Sequence, residues 1–206
     1  EQASKSEALQ VLSEGFAVLN EDGLNFLQNT FADKLNIISE GDNWHFLEIA
    51  VNKLAPEIRT KINFIKGVES NSGTGVLCSV FEFFKTANVS HTCLFVGDPD
   101  KPGKKLGEKV DGENLFSIAL EQNTDNQVQK NGGIESLFSF ENLNDAKCLI
   151  TEKKTDSDGK ETTQHYFEEH NKKKFLQWVK DNEDKVDFIK FKGFILKVKE
   201  LTEKLT

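Results

Sequence analysis

The sequence predicts an α+β protein: an N-terminal helical bundle, a central, mostly antiparallel β meander with hairpins, and C-terminal helices packing back on the N-terminal ones. Three observations lead there. Apolar residues recur at steps of three and four through the first third of the chain. Short apolar runs separated by turn-rich polar stretches fill the middle, and the stepping by three and four returns at the end. At 206 residues the chain reads as a single domain, helical over 1–68, β-rich over 75–168 and helical over 170–206.

Leu9, Leu12, Phe16 and Leu19 mark the first predicted helix. Leu24, Leu27, Phe31, Leu35 and Ile38 mark the second, behind Asp22 as a good N-cap. Trp44, Leu47, Val51 and Leu54 give a third after "GDN". Pro56 stands where a first-turn proline belongs, so a fourth helix is expected through Ile58, Ile62 and Ile65 to Gly67. Near the C-terminus Phe175, Trp178 and Val179 mark one helix, and Phe191, Phe194, Val198, Leu201 and Leu205 another, with Gly193 as its weak point. Each stripe is one apolar face that must be covered by packing.

In the middle, "GVLCSVFEFFKT" suits a helix by spacing and a buried strand by composition. "HTCLFVG", "NLFSIAL" and "IESLFSF" read as strands. "AKCLITEKKT" and "KETTQHYFE", joined by "DSDG", read as a hairpin. Two stretches, 97–113 and 122–133, are too long and too rich in Gly, Asn and Lys for simple turns and are expected to be surface loops.

Composition bounds the partners. A formal charge of −8 and a pI near 5.1 repel phosphate backbones at long range, so no nucleic-acid binding is expected. Lys172, Lys173 and Lys174, beside Glu168 and Glu169, read as a solvated helix face. Arg59 is the sole arginine, so an anion-binding arginine cluster is unavailable. The abundance of Asn, Lys and Phe suggests an AT-rich genome. No apolar run approaches the length of about 18 residues that a membrane-crossing helix needs. With Glu1 first and no methionine, the chain is expected to be a processed or trimmed form, exported or displayed at a cell surface. Cys78, Cys93 and Cys148 are too few for a disulfide framework and sit among apolar neighbours, as core thiols do.

No chemical motif is complete. His165 and His170 in "QHYFEEH" are five apart, roughly 140° around a helix and on opposite faces of a strand, so they do not chelate one ion from a regular element. "GDPDKPGKK" differs from a Walker A loop in its glycine spacing and in having Lys105 where a hydroxyl belongs. As a calcium loop it fails at Pro102 and at Lys109, which takes the place of the bidentate glutamate. "SNSGTG" lacks the first glycine of a nucleophile elbow. Asn88 heads an "NVS" glycosylation sequon. Neither metal nor cofactor is expected.

The function that follows is that of a non-enzymatic interaction protein, binding an unidentified protein partner through Asp98, Lys101, Lys104 and Lys105 in the first loop and Asn123, Asn126 and Asn131 in the second. One alternative is an enzyme with a site assembled from His91 and Cys93, or from His165, Glu169 and His170. Another is a cytosolic adaptor using an exposed helix face, with Leu24 to Ile38 as the candidate.

Overall fold

The computed structural model describes residues 33–65, 74–87, 89–109, 111–122, 128–129, 133–155 and 161–205. Its centre is a four-stranded, all-parallel sheet in the order β2-β1-β3-β4, built from β1 (Leu35–Ser39), β2 (Ile62–Ile65), β3 (Cys93–Gly97) and β4 (Leu115–Ala119). Parallel neighbours need crossovers. Helices α1 (Asn43–Leu54), α2 (Thr74–Thr86) and α3 (Lys101–Gly107) lie in the three successive connections. This α/β arrangement overturns the expected α+β fold with a mostly antiparallel centre.

The physical reason is burial on both faces. All five residues of β1 and all five of β3 are buried. Along them the side chains alternate between two cores. Leu35, Ile37, Leu94 and Val96 face one, while Ile38, Cys93 and Phe95 face the other. Strands covered on both sides carry continuous apolar runs rather than alternation, so Leu35 and Ile38, three apart, imitate a helical stripe. The expected second helix therefore ends in β1, and its residues before 33 lie outside the described residues, as does the first expected helix.

The expected fourth helix is replaced as well. Pro56 opens a 3-10 segment, Pro56–Lys61, that hands over to β2. Arg59 in that segment pairs with Glu48 of α1, and its guanidinium lies 5.2 Å from the centre of the Phe64 ring. "GVLCSVFEFFKT" resolves as α2, whose Phe81 and Phe84 meet Phe95 edge-on.

A second, three-stranded sheet has the order β5-β7-β6, from β5 (Val128–Gln129), β6 (Leu149–Thr155) and β7 (Glu161–Phe167). β6 and β7 are antiparallel, and the turn residues 156–160 lie outside the described residues. "IESLFSF" is not a strand. It forms a 3-10 turn, Ile134–Leu137, followed by α4 (Phe140–Asp145), which Ser139 caps by accepting the Asn142 backbone N–H at 3.2 Å. Phe138 between them is buried against Phe46, Phe175, Phe188 and Phe191. That aromatic hub ties the turn to α1, to α5 (Lys172–Asp181) and to the 3-10 turn Ile189–Phe191 that leads into α6 (Lys192–Glu203). Helices α1, α5 and α6 share the larger core on one face of the parallel sheet, and α2 and α3 contribute to the smaller core on the other.

Candidate functional site

β1 leads through α1 to β2 on one side of it, whereas β3, on the other side of β1, leads through α3 to β4. The winding direction reverses between β1 and β3, and in open parallel sheets ligands bind beyond the carboxyl ends of the strands at such a point. Ser39 and Glu40 end β1 there, and Gly97 and Asp98 end β3.

The turn after β3 is shaped by two glycines. A Cβ on Gly103 would lie 1.9 Å from the Asp98 carbonyl oxygen, and one on Gly97 would lie 2.8 Å from Gly103 Cα. Both distances are within hard contact, so the five-residue glycine spacing lets α3 start directly against the strand end. Asp100 caps α3 by accepting the Gly103 N–H at 2.7 Å. The turn after β1 passes through Gly41, at φ +45°, and delivers Asn43 to the start of α1.

Asn43 and Asp98 are both buried, and the Asn43 amide nitrogen donates to Asp98 Oδ1 at 2.6 Å. Burial pushes the Asp98 carboxyl up to about 7, against the pull of the Lys172 ammonium, and the neighbouring carboxylates of Glu135 and Glu40 push the same way. Glu135 is itself buried and pairs with Lys172 Nζ at 3.5 Å. The Lys172 ammonium thus acts on two buried carboxyl groups, those of Asp98 and Glu135, and a carboxylate removed from water demands a proton or a counter-charge. Three polar atoms around them, Ser39 Oγ, Asn43 Oδ1 and Ser136 Oγ, are buried with no hydrogen-bond partner among the described residues. No three His, Cys, Asp or Glu side chains among the described residues stand close enough together to hold a metal ion.

Sequence reasoning named Asp98 but placed it on a surface loop; it is buried at the strand end. Lys101, Lys104 and Lys105 are exposed, on α3 rather than in a loop. Asn123, Asn126 and Asn131 lie outside the described residues. Glu40, Asn43, Glu135 and Lys172 were missed, and Lys172 turns inward instead of joining a solvated face. A glutamate straight after an apolar run, "LNIISE", and a D-x-D straight after another, "LFVGDPD", were the available signals.

The other candidates do not converge on this site. Cys93 begins β3, at the opposite end of the strand from Asp98, and burial pushes its thiol up to about 12, which disfavours the nucleophilic thiolate. His165 Nδ1 is 3.1 Å from Thr151 Oγ1, and its ring meets Phe140 edge-on. His170 Nε2 is 3.2 Å from Glu168 Oε2. "QHYFEEH" is the end of β7 running into a 3-10 turn, Glu169–Asn171.

Among the described residues no helix is long and apolar enough to cross a membrane. No family model, curated protein or solved structure matches the chain significantly.

Proposed function

We propose that the chain is an enzyme that hydrolyses a phosphate ester with the help of a divalent cation at the β1/β3 strand ends. The observation that carries this reading is the buried Asp98, surrounded by Glu40 and Glu135 with Lys172 as the ammonium among them. The donors there are hard oxygens, carboxylate, amide and hydroxyl, a set suited to Mg²⁺, Mn²⁺ or Ca²⁺ and poorly suited to a soft ion. A divalent cation held by Asp98 would supply charge neutralisation for the phosphoryl group. Lys172, which pairs with Glu135, would stabilise the added negative charge of the substrate. In the reaction a water oxygen bonds to phosphorus, the ester P–O bond breaks, and the leaving oxygen takes a proton as the water loses one.

A net charge of −8 opposes long-range capture of a polyanion. The exposed Lys101, Lys104 and Lys105 sit on the helix that starts at the site and offer a local positive approach. The test is Mg²⁺- or Mn²⁺-dependent cleavage of bis(p-nitrophenyl) phosphate, with single- and double-stranded oligonucleotides as further arms. Activity lost on chelation and in Asp98→Asn supports the reading. No cation binding tighter than ~1 mM and no cleavage in any arm would overturn it.

A second reading is favoured by the same three lysines: an unidentified acidic protein partner docks on the exposed face of α3. A charge-reversal triple variant at 101, 104 and 105 that loses a captured partner while keeping cation binding would separate the two.

A further inference from the structure

The hairpin of β6 and β7 reaches into solvent. β5 pairs with β7 only at His165 and Tyr166, and among the described residues no strand pairs with the other edge of β6. Glu152 to Thr155 on β6 and Glu161 to Thr163 on β7 are all exposed, so this stretch is a two-stranded ribbon with water on both faces. Such a ribbon is marginal by itself, and an open edge offers its N–H and C=O groups to a further strand. The charges on β6 are also unmatched within the hairpin. Glu152 faces Gln164 and Lys154 faces Thr162. Glu152 has no ion pair among the described residues, and Lys154 Nζ lies 5.2 Å from the centre of the Tyr166 ring.

We propose that the open edge of β6 is a homodimer interface, where β6 of a second copy pairs antiparallel about a two-fold axis at Lys153. Facing residues in an antiparallel pair share one side of the sheet. Two-fold symmetry therefore allows only registers in which the numbers of facing residues differ by an even count. Centred on Lys153, the register sets Glu152 against Lys154 of the second copy and Lys154 against its Glu152, with Thr151 against Thr155 on the other side of the sheet. Opposite-charge and Thr–Thr pairs are both favourable cross-strand neighbours. Centring on Glu152 or on Lys154 would instead set that residue against its own copy and leave no opposite-charge pair. The chosen register does bring the two Lys153 side chains together, but each has the Glu161 carboxylate 4.0 Å from its Nζ as a local counter-charge. The edge is thus self-complementary in one register, and the sheet continues across the two copies.

Sedimentation equilibrium of the full chain at low ionic strength, from micromolar to millimolar protein, tests the interface. The parent is expected to pass reversibly from monomer to dimer. Glu152→Lys alone and Lys154→Glu alone should each weaken association by about tenfold, because the two-fold axis repeats every lost pair. The double variant Glu152→Lys/Lys154→Glu restores the facing charges and should recover the parental association constant. Both residues are exposed, so these changes leave the core untouched. A monomer throughout would overturn the proposal and leave the edge to a strand of some other chain. A dimer that ignores the single variants, or that the double variant does not restore, lies elsewhere and overturns it as well. Hydrogen exchange on the unaltered chain gives an independent reading. Amides of Glu152 to Thr155 should gain protection as concentration rises through the dimer transition, and unchanged protection there would reject this edge as the interface.

Discussion

The Asn43 amide donates to Asp98 Oδ1 at 2.6 Å, joining the first turn of α1 to the carboxyl end of β3 across the point where the sheet's winding reverses. The bond links residues 55 apart in sequence. Around it collect the groups on which the proposed chemistry depends, and their charges can be tested without knowing a substrate.

Asp98 makes stability depend on pH in a defined direction. Its folded carboxyl is raised from the ordinary 3.8 to about 7. Between these values the folded state binds more protons than the unfolded one, so unfolding free energy falls as pH rises, and the loss is complete above about pH 7. Asp98→Asn is expected to flatten that slope and to exceed the parent in stability at pH 8, by an amount on the order of a few kcal/mol. Urea denaturation at pH 4, 6 and 8 checks it; a parallel slope in the variant would refute the assignment.

Lys172 and Glu135 form an ion pair with the lysine side chain 24% and the glutamate 5% exposed. Lys172→Met strands a buried carboxylate and is expected to cost about 2–3 kcal/mol. Adding Glu135→Gln should recover at least half of that, because the amide needs no counter-charge. A double-mutant cycle reads the coupling, and strict additivity would argue that the pair is merely incidental.

Two glycines should respond in opposite senses to alanine. Gly103→Ala forces a methyl to within 1.9 Å of the Asp98 carbonyl oxygen, so a loss of more than about 3 kcal/mol is expected, in the range of severe overpacking. Gly193, near the start of α6, has nothing within 4 Å of where a Cβ would stand. Gly193→Ala should therefore stabilise by about 0.5 kcal/mol through helix propensity. Thermal denaturation of the two variants makes the comparison.

Lys147 follows α4 at φ 53°, in the left-handed region that glycine occupies without strain. The backbone N–H of Cys148 reaches back to the Leu143 carbonyl at 3.1 Å, and the Lys147 carbonyl accepts from Lys174 Nζ at 2.6 Å. Neither contact needs the Lys147 side chain. Lys147→Gly is expected to raise stability by about 1 kcal/mol, measured by chemical denaturation; a loss of similar size would show that the side chain has a use not visible in these contacts.

The sequence by itself determined the local elements whose signals are local. The stripe Trp44 to Leu54 is α1, the run "HTCLFVG" contains β3, and "AKCLITEKKT" pairs with "KETTQHYFE" in β6 and β7. Only the tertiary structure decided that "LNIIS" is a strand and that "INFI" continues a parallel sheet. Burial on both faces erases the two-residue alternation by which a strand is recognised, and a parallel partner lies a whole crossover away in the chain. The site follows the same logic. Glu40, Asp98, Glu135 and Lys172 are each ordinary among their sequence neighbours, and no spacing rule joins them. They meet because the strand order 2-1-3-4 puts two strand ends side by side, and because Phe138 packs on Phe175, joining the turn that carries Glu135 to the helix that begins at Lys172. Long-range electrostatics of this kind is a property of the packed sheet, and periodicity, which measures one element at a time, carries no trace of it.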